Sequence, residues 1–269
     1  MPELPEVETT RRGIKSYLVG NKIKYSIVRN RRLRFPVAIE ILNINNELIL
    51  NIKRRAKYLL FELKYGWIII HLGMSGNLQI LTKKQLALKH DHIDLVLADG
   101  KILRYTDPRR FGFWLWANNL HNHPLMIHLG PEPLSNNFNV EYLCQRAKNK
   151  KTAIKPWLMD NKIVVGLGNI YTNEILLASK ILPTRIVKSL NKKEITNLVI
   201  QIKYILNSAI EYGGTTLKNF LQFDGKPGFF NQKLLIYGKK NEHCTICNQK
   251  ITLIKQRNRS TYFCYNCQK

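Results

Sequence analysis

The chain has 269 residues, 45% of them hydrophobic, enough for one large domain or two to three small ones. No apolar run reaches the length of a membrane span, and Trp67-Ile68-Ile69-Ile70 reads as a buried strand candidate. Lys and Arg number 43 against 18 Asp and Glu, a net charge of +25 that fits a polyanionic partner, above all nucleic acid. Part of the lysine excess belongs to a composition rich in Ile, Asn and Lys. The arginines instead cluster, in RNRRLRF (29–35), KRRAK (53–57) and DPRRFG (107–112). The N-terminus carries no signal-peptide apolar region, so a cytoplasmic protein is expected.

The chain opens MPELPEVETTRRGIKSYL. Leu4, Val7, Ile14 and Leu18 recur at helical spacing, predicting an amphipathic helix over residues 5–18. Pro5 suits a first helical turn, and Glu6 and Glu8 suit the positive end of a helix dipole. Pro2 and Glu3 lie before that helix and are not explained by it.

From Lys22 to about Trp116, short apolar runs alternate with turn signals: KIKYSIVR, ELILNIK, KYLLFEL, WIIIHL, DHIDLVL, KILRYT and FGFWLW. Strands at this spacing predict a sandwich or barrel. Between them, HLGMSGNL (71–78) and DPRRFGFW (107–114) place Met74 and Phe111 on turn-like stretches. Such side chains are commonly core; the functional alternative is an apolar wedge entering a base stack.

Residues 117–134, with Asn, Pro and Gly, read as a link to a helical second part. VEYLCQRAK, Ile170 to Lys180 and Ile195 to Tyr212 fit helices. In the last, Ile195, Leu198, Val199, Ile202, Leu206 and Ala209 form one stripe, ended by Gly213-Gly214. The glycine loop in VVGLGNIYTNE (164–174) opens a helix, where backbone N–H groups either hold a phosphate or simply turn the chain.

The tail holds Cys244-x2-Cys247 and Cys264-x2-Cys267, sixteen residues apart. Two such thiolate pairs close a tetrahedron, so one structural Zn2+ is expected, with no open position for catalysis. Two disulfides are the alternative, disfavoured in a cytosolic chain that also carries Cys144. His243 is a poor fifth ligand, and Cys144 is expected to be a buried free thiol. The hairpin between the pairs carries Lys255, Arg257 and Arg259, a basic tip.

Taken together, PELPEVET, RRAKYLLFEL, WIIIHLGMSG, YTDPRRFG, HLGPEPL, GLGNIY, GGTTLKNFLQFDGKPGFF and the four-cysteine tail resemble the formamidopyrimidine-DNA glycosylase family over essentially the whole chain. The resemblance implies an α+β multidomain fold. Its parts are an N-terminal helix and β-sandwich (1–130), a helix–two-turn–helix domain (131–225) and a C-terminal four-cysteine zinc finger (235–269). It implies a monomer without organic cofactor that excises oxidised purines, 8-oxoguanine and formamidopyrimidines, from duplex DNA and then cuts the strand. The sister endonuclease VIII group usually begins PEGPE; Leu4 here favours the purine branch.

By resemblance, Met1 is removed and the Pro2 nitrogen attacks the sugar. An α-amine titrates well below a lysine side chain, so more of it is free base near neutrality. Glu3 matches the general acid. Glu6 either tunes the site or serves only the helix start. Lys57 matches the lysine associated with β-elimination, and Arg259 the arginine associated with δ-elimination. A guanidinium hardly deprotonates, so Arg259 is better read as stabilising the leaving phosphate. His90, Arg109, Lys150 and Asn169 match DNA-contacting positions. Met74, Arg109 and Phe111 match the residues that fill the void left by a flipped nucleotide, and Arg109 is expected to favour cytosine over adenine opposite the lesion. The loop 217–230 matches a segment that closes over the flipped base. The hairpin KQRNRSTYF departs from the commoner glycine- and threonine-containing form. Charge and cysteines alone also fit a non-catalytic zinc-finger binder; Pro2-Glu3 with Lys57 and Arg259 separate the two. A third reading keeps the enzyme but makes oxidised pyrimidines the substrate.

Overall fold

A computed structural model describes residues 2–216 and 223–269. It forms two compact units: the chain up to Ile127 together with Tyr212–Asn231, and His128–Glu211 together with Gln232–Lys269.

The first unit opens with α1 (Leu4–Leu18). Nine strands and a short helix follow: β1 (Lys22–Val28), α2 (Ile39–Leu42), β2 (Asn45–Leu48), β3 (Asn51–Arg55), β4 (Tyr58–Leu63), β5 (Gly66–His71), β6 (Asn77–Leu81), β7 (Asp91–Leu97), β8 (Ile102–Thr106) and β9 (Phe113–Ala117). They make two antiparallel sheets, ordered β2-β1-β7-β8-β6 and β3-β4-β5-β9. The inward faces share one core in which Ile23, Phe61, Ile68, Ile70, Leu95 and Trp114 pack with Val7, Ile14 and Leu18 of α1. The apolar stripe of α1 is thus buried against the sandwich, which orients the helix and its N-terminal turn.

One strand expectation is corrected. ELILNIK is not one strand. Ile49 donates its N–H to Asn21 O and Leu50 to Glu62 O, so the chain crosses from the first sheet to the second between β2 and β3. The turn-like stretch 71–78 ends in a strand for which no expectation was made: Asn77 and Leu78 open β6, which runs on to Leu81 and pairs with β8.

The second unit holds α3 (Val140–Ala147), α4 (Ile154–Leu158), α5 (Asn169–Ala178), α6 (Lys192–Glu211) and the hairpin β10 (Thr252–Gln256)–β11 (Arg259–Phe263). The predicted stripe on α6, from Ile195 to Ala209, is buried. α4 has five residues, too few to show a helical period. Its Trp157 and Leu158 are buried. Cys144 on α3 is half-buried, not fully buried as expected. Among the described residues no helix is long and apolar enough to cross a membrane.

Candidate active site and nucleic-acid interface

The N-terminal turn of α1 is held from both sides. Glu3 is its N-cap and forms a capping box with Glu6, three residues on. The Glu3 N–H donates to Glu6 Oε2 at 2.8 Å, and Glu6 Oε1 accepts the Thr215 N–H at 2.7 Å. Pro2 is buried, and Glu3 and Glu6 are only 2% and 1% exposed. Both carboxyl groups thus lie out of solvent in the first turn of the helix, where the positive end of its dipole favours a negative charge.

Lys57 sits almost buried beside Ala56, whose φ of 52° makes the β3–β4 turn. Arg54 ties that turn to α1: one guanidinium nitrogen donates to Ala56 O at 3.0 Å and another to Glu8 Oε2 at 3.1 Å. Burial raises the Glu8 carboxyl, but hydrogen bonds from Arg11 and Arg12 and the charges of Arg11 and Arg54 outweigh it and hold it at about 2. His71 is pulled down to about 4 by burial and by the Lys57 and Arg34 charges, against the opposing pull of Asp107.

Met74 and Phe111 are 41% and 43% exposed, so neither is a core residue. The Arg109 guanidinium lies 4.7 Å from the centre of the Phe111 ring, a cation–π contact. Arg32, Arg34, Arg109 and Arg110 line an open groove of about 550 Å³ beside Phe111. His90 is half-buried, and its carbonyl accepts the Asp107 N–H at 3.0 Å. The first unit therefore carries Pro2, Glu3, Lys57, Met74, His90, Arg109 and Phe111. The convergence of Arg32 and Arg34 on Arg109 had no local signal beyond the arginine cluster at 29–34. The contact of Thr215 with Glu6 had none.

The second unit carries Lys150, Asn169, Arg259 and the cysteines. Lys150 is exposed. Asn169 is the first residue of α5, after an extended Gly168, and its buried Oδ1 has no hydrogen-bond partner among the described residues. Asn173, one turn later, accepts the Tyr262 N–H at 2.9 Å and fixes β11 to α5. Lys155, 1% exposed, donates to Ser260 O at 2.8 Å and Thr261 Oγ1 at 2.7 Å, directly beside the exposed Arg259. Glu174 takes three backbone N–H groups, of Leu235, Ile236 and Tyr237, and so anchors the approach to the cysteine module. The hairpin turns on Arg257 and Asn258, both with positive φ, and keeps a regular ladder from Thr252–Phe263 to Gln256–Arg259.

Cys244, Cys247, Cys264 and Cys267 bring their four sulfurs within 4.8 Å of one another. The Cys244–Cys267 and Cys247–Cys264 separations are 3.8 and 3.4 Å, far from a disulfide bond. A tetrahedral metal with ligands at about 2.3 Å spaces its sulfurs about 3.8 Å apart, so the donor set fits such an ion. His243 is not part of the cluster.

A capped N-terminal helix on a β-sandwich, with a helix–two-turn–helix unit and a four-cysteine hairpin, is the make-up of one class of DNA glycosylases. Residues 1–114 match the family model of the formamidopyrimidine-DNA glycosylase N-terminal domain, and residues 129–221 that of its H2TH domain. The chain is 61% identical over 268 residues to the formamidopyrimidine-DNA glycosylase of Proteus mirabilis, covering 100% of this chain and 98% of that one. It is 60% identical over 268 residues to the enzyme of that name from Photorhabdus laumondii, covering both fully. Its fold superposes on the MutM (Fpg) protein of Thermus thermophilus with a TM-score of 0.89 at 33% identity, over 99% of this chain and 98% of that chain. It superposes on the Lactococcus lactis Fpg in complex with abasic-site DNA with a TM-score of 0.90 at 33% identity, over 99% of both. The chain belongs to the formamidopyrimidine-DNA glycosylase family.

Proposed function

We propose that this enzyme excises oxidised purines, 8-oxoguanine and formamidopyrimidines, from duplex DNA through a Schiff base on Pro2, then cleaves the strand by β,δ-elimination. The observation that carries this reading is the buried Pro2-Glu3 pair at the capped start of α1. A Lactococcus lactis Fpg variant solved with Fapy-dG DNA, TM-score 0.91 and 34% identity over 100% of both chains, supports the lesion class.

A damaged base must leave the stack before its glycosidic bond is reached. The Pro2 nitrogen, freed once Met1 is removed, attacks C1′. Glu3 protonates the sugar oxygen as the ring opens, and the base departs with the glycosidic electron pair. The secondary amine yields an iminium that stays cationic and withdraws electrons, so loss of a C2′ proton expels the 3′ phosphate. Lys57 faces the phosphate next to the lesion in that step, and Arg259 stabilises the second leaving phosphate. Met74, Arg109 and Phe111 fill the vacated space, with Arg109 donating to the orphaned cytosine. His90, Lys150 and Asn169 hold the backbone. The cysteines hold one structural Zn2+, and no step passes through it. The partner is double-stranded DNA, engaged by a monomer in the cytoplasm. The segment assigned to cover the flipped base lies partly outside the described residues, at 217–222.

The test is a panel of duplexes bearing 8-oxoguanine, formamidopyrimidine or an oxidised pyrimidine. Cleavage of the purine lesions ahead of the pyrimidine one is expected. Binding without cleavage would restore the non-catalytic reading, and preferred cleavage of the pyrimidine lesion would move the enzyme to the sister branch.

A further inference from the structure

Met74 and the stretch Arg109–Phe111 lie on different loops, and nothing local to either sets the distance between them. Asp107 joins them. Its side chain is 0% exposed. Oδ1 accepts the Ser75 hydroxyl at 2.6 Å and the Arg109 N–H at 3.3 Å. Oδ2 accepts the Gly112 N–H at 2.9 Å and the Tyr105 hydroxyl at 3.0 Å. One carboxylate thus grips the residue after Met74, the backbone of Arg109 and the residue after Phe111, and its acceptor sites are filled. These donors are all neutral, so the arrangement buries a carboxylate at a cost that four hydrogen bonds must offset. Ser75 Oγ also accepts the Arg109 N–H at 3.2 Å, which closes the link.

The two loops also meet backbone to backbone. A Cβ on Gly73, whose φ is +63°, would lie 2.3 Å from Gly112 N and Phe111 C. A Cβ on Gly112 would lie 2.0 Å from the Tyr105 hydroxyl and 2.5 Å from His71 O. Neither loop can shift without the other.

We propose that Asp107 is the positioning residue of the wedge: it locks Met74, Arg109 and Phe111 into one unit and thereby sets the discrimination between cytosine and adenine opposite the lesion. This rests on the void-filling reading of those three residues. Asparagine in its place turns one acceptor oxygen into an NH2 that faces donors, so one loop loses its anchor.

The experiment measures kcat/KM on 8-oxoguanine opposite C and opposite A for the wild type, Asp107→Asn and Ser75→Ala, with thermal unfolding of each. A good base contact gives the wild type a C-over-A ratio of roughly 5 to 150. Both variants are expected to lower that ratio about fivefold or more, while borohydride trapping on a preformed abasic duplex stays within about twofold. Folded Asp107→Asn and Ser75→Ala proteins that keep the wild-type ratio overturn the proposal. If Asp107→Asn fails to fold, Ser75→Ala decides, since it removes a single hydroxyl. A wild-type ratio of one is distinguishable without any variant, and sinks the void-filling reading and this inference with it.

Discussion

The Glu6 carboxylate bridges two segments 209 residues apart, accepting the Thr215 N–H on one oxygen and the Glu3 N–H on the other. The turn that presents Pro2 and Glu3 and the strand-like entry to the segment after α6 therefore share one acceptor. Glu6→Ala leaves two buried N–H donors without it, a loss of about 1–3 kcal/mol per donor. The expected outcome is a lower Tm together with a fall in single-turnover base excision. Glu6→Gln, which keeps one acceptor oxygen, falls between the two. Wild-type excision by a folded Glu6→Ala protein would show that this bridge serves the helix start alone.

Acid stability follows from Glu8 and His71. The folded Glu8 carboxyl, at about 2, lies below its ordinary 4.5. It contributes stability above pH 4.5 that is lost as pH falls toward 2. The folded His71 imidazole, at about 4, lies below its ordinary 6.5. Its contribution is complete above pH 6.5 and is lost as pH falls toward 4. His71 Nδ1 accepts the Gly73 N–H at 3.0 Å, a bond that the doubly protonated ring cannot make. Thermal unfolding from pH 7 to 3 should show Tm falling first through the His71 window and then through that of Glu8. Replacement of Glu8 by Gln should lower Tm at pH 7 and flatten the second fall. A wild-type Tm constant over this range would contradict both assignments.

Metal removal should act through structure. The module around Cys244 and Cys264 buries few other side chains, Leu177, Ile236 and Ile251 among them. Such a core is too small to hold its own hairpin without the ion. Elemental analysis should find one zinc per chain, and chelation should abolish strand cleavage and DNA affinity while the sandwich unit keeps its melting transition. Full cleavage by metal-free protein would contradict the structural role.

How much of this was legible in the sequence depended on range. The α1 stripe, the α6 stripe and the paired C-x2-C motifs are local patterns, and each matches the structure. β6 was hidden because its five residues follow a glycine turn and make only a short run. ELILNIK reads as continuous because its crossing between sheets is set by distant partners, Asn21 and Glu62. The exposure of Met74 and Phe111 was open between core and surface until the sheets placed their loops. Arg54 on Glu8, Lys155 on the β11 backbone and Asp107 between the wedge loops are likewise tertiary contacts, for which a single sequence holds no period or spacing.

The most direct measurement is borohydride trapping on an 8-oxoguanine·C duplex, followed by mapping of the cross-linked peptide. A covalent adduct on Pro2, in a chain that has lost Met1, is the predicted result. With Met1 removed and zinc bound, the absence of any adduct and of strand cleavage would contradict the enzyme chemistry, and an adduct on Lys57 would contradict the nucleophile.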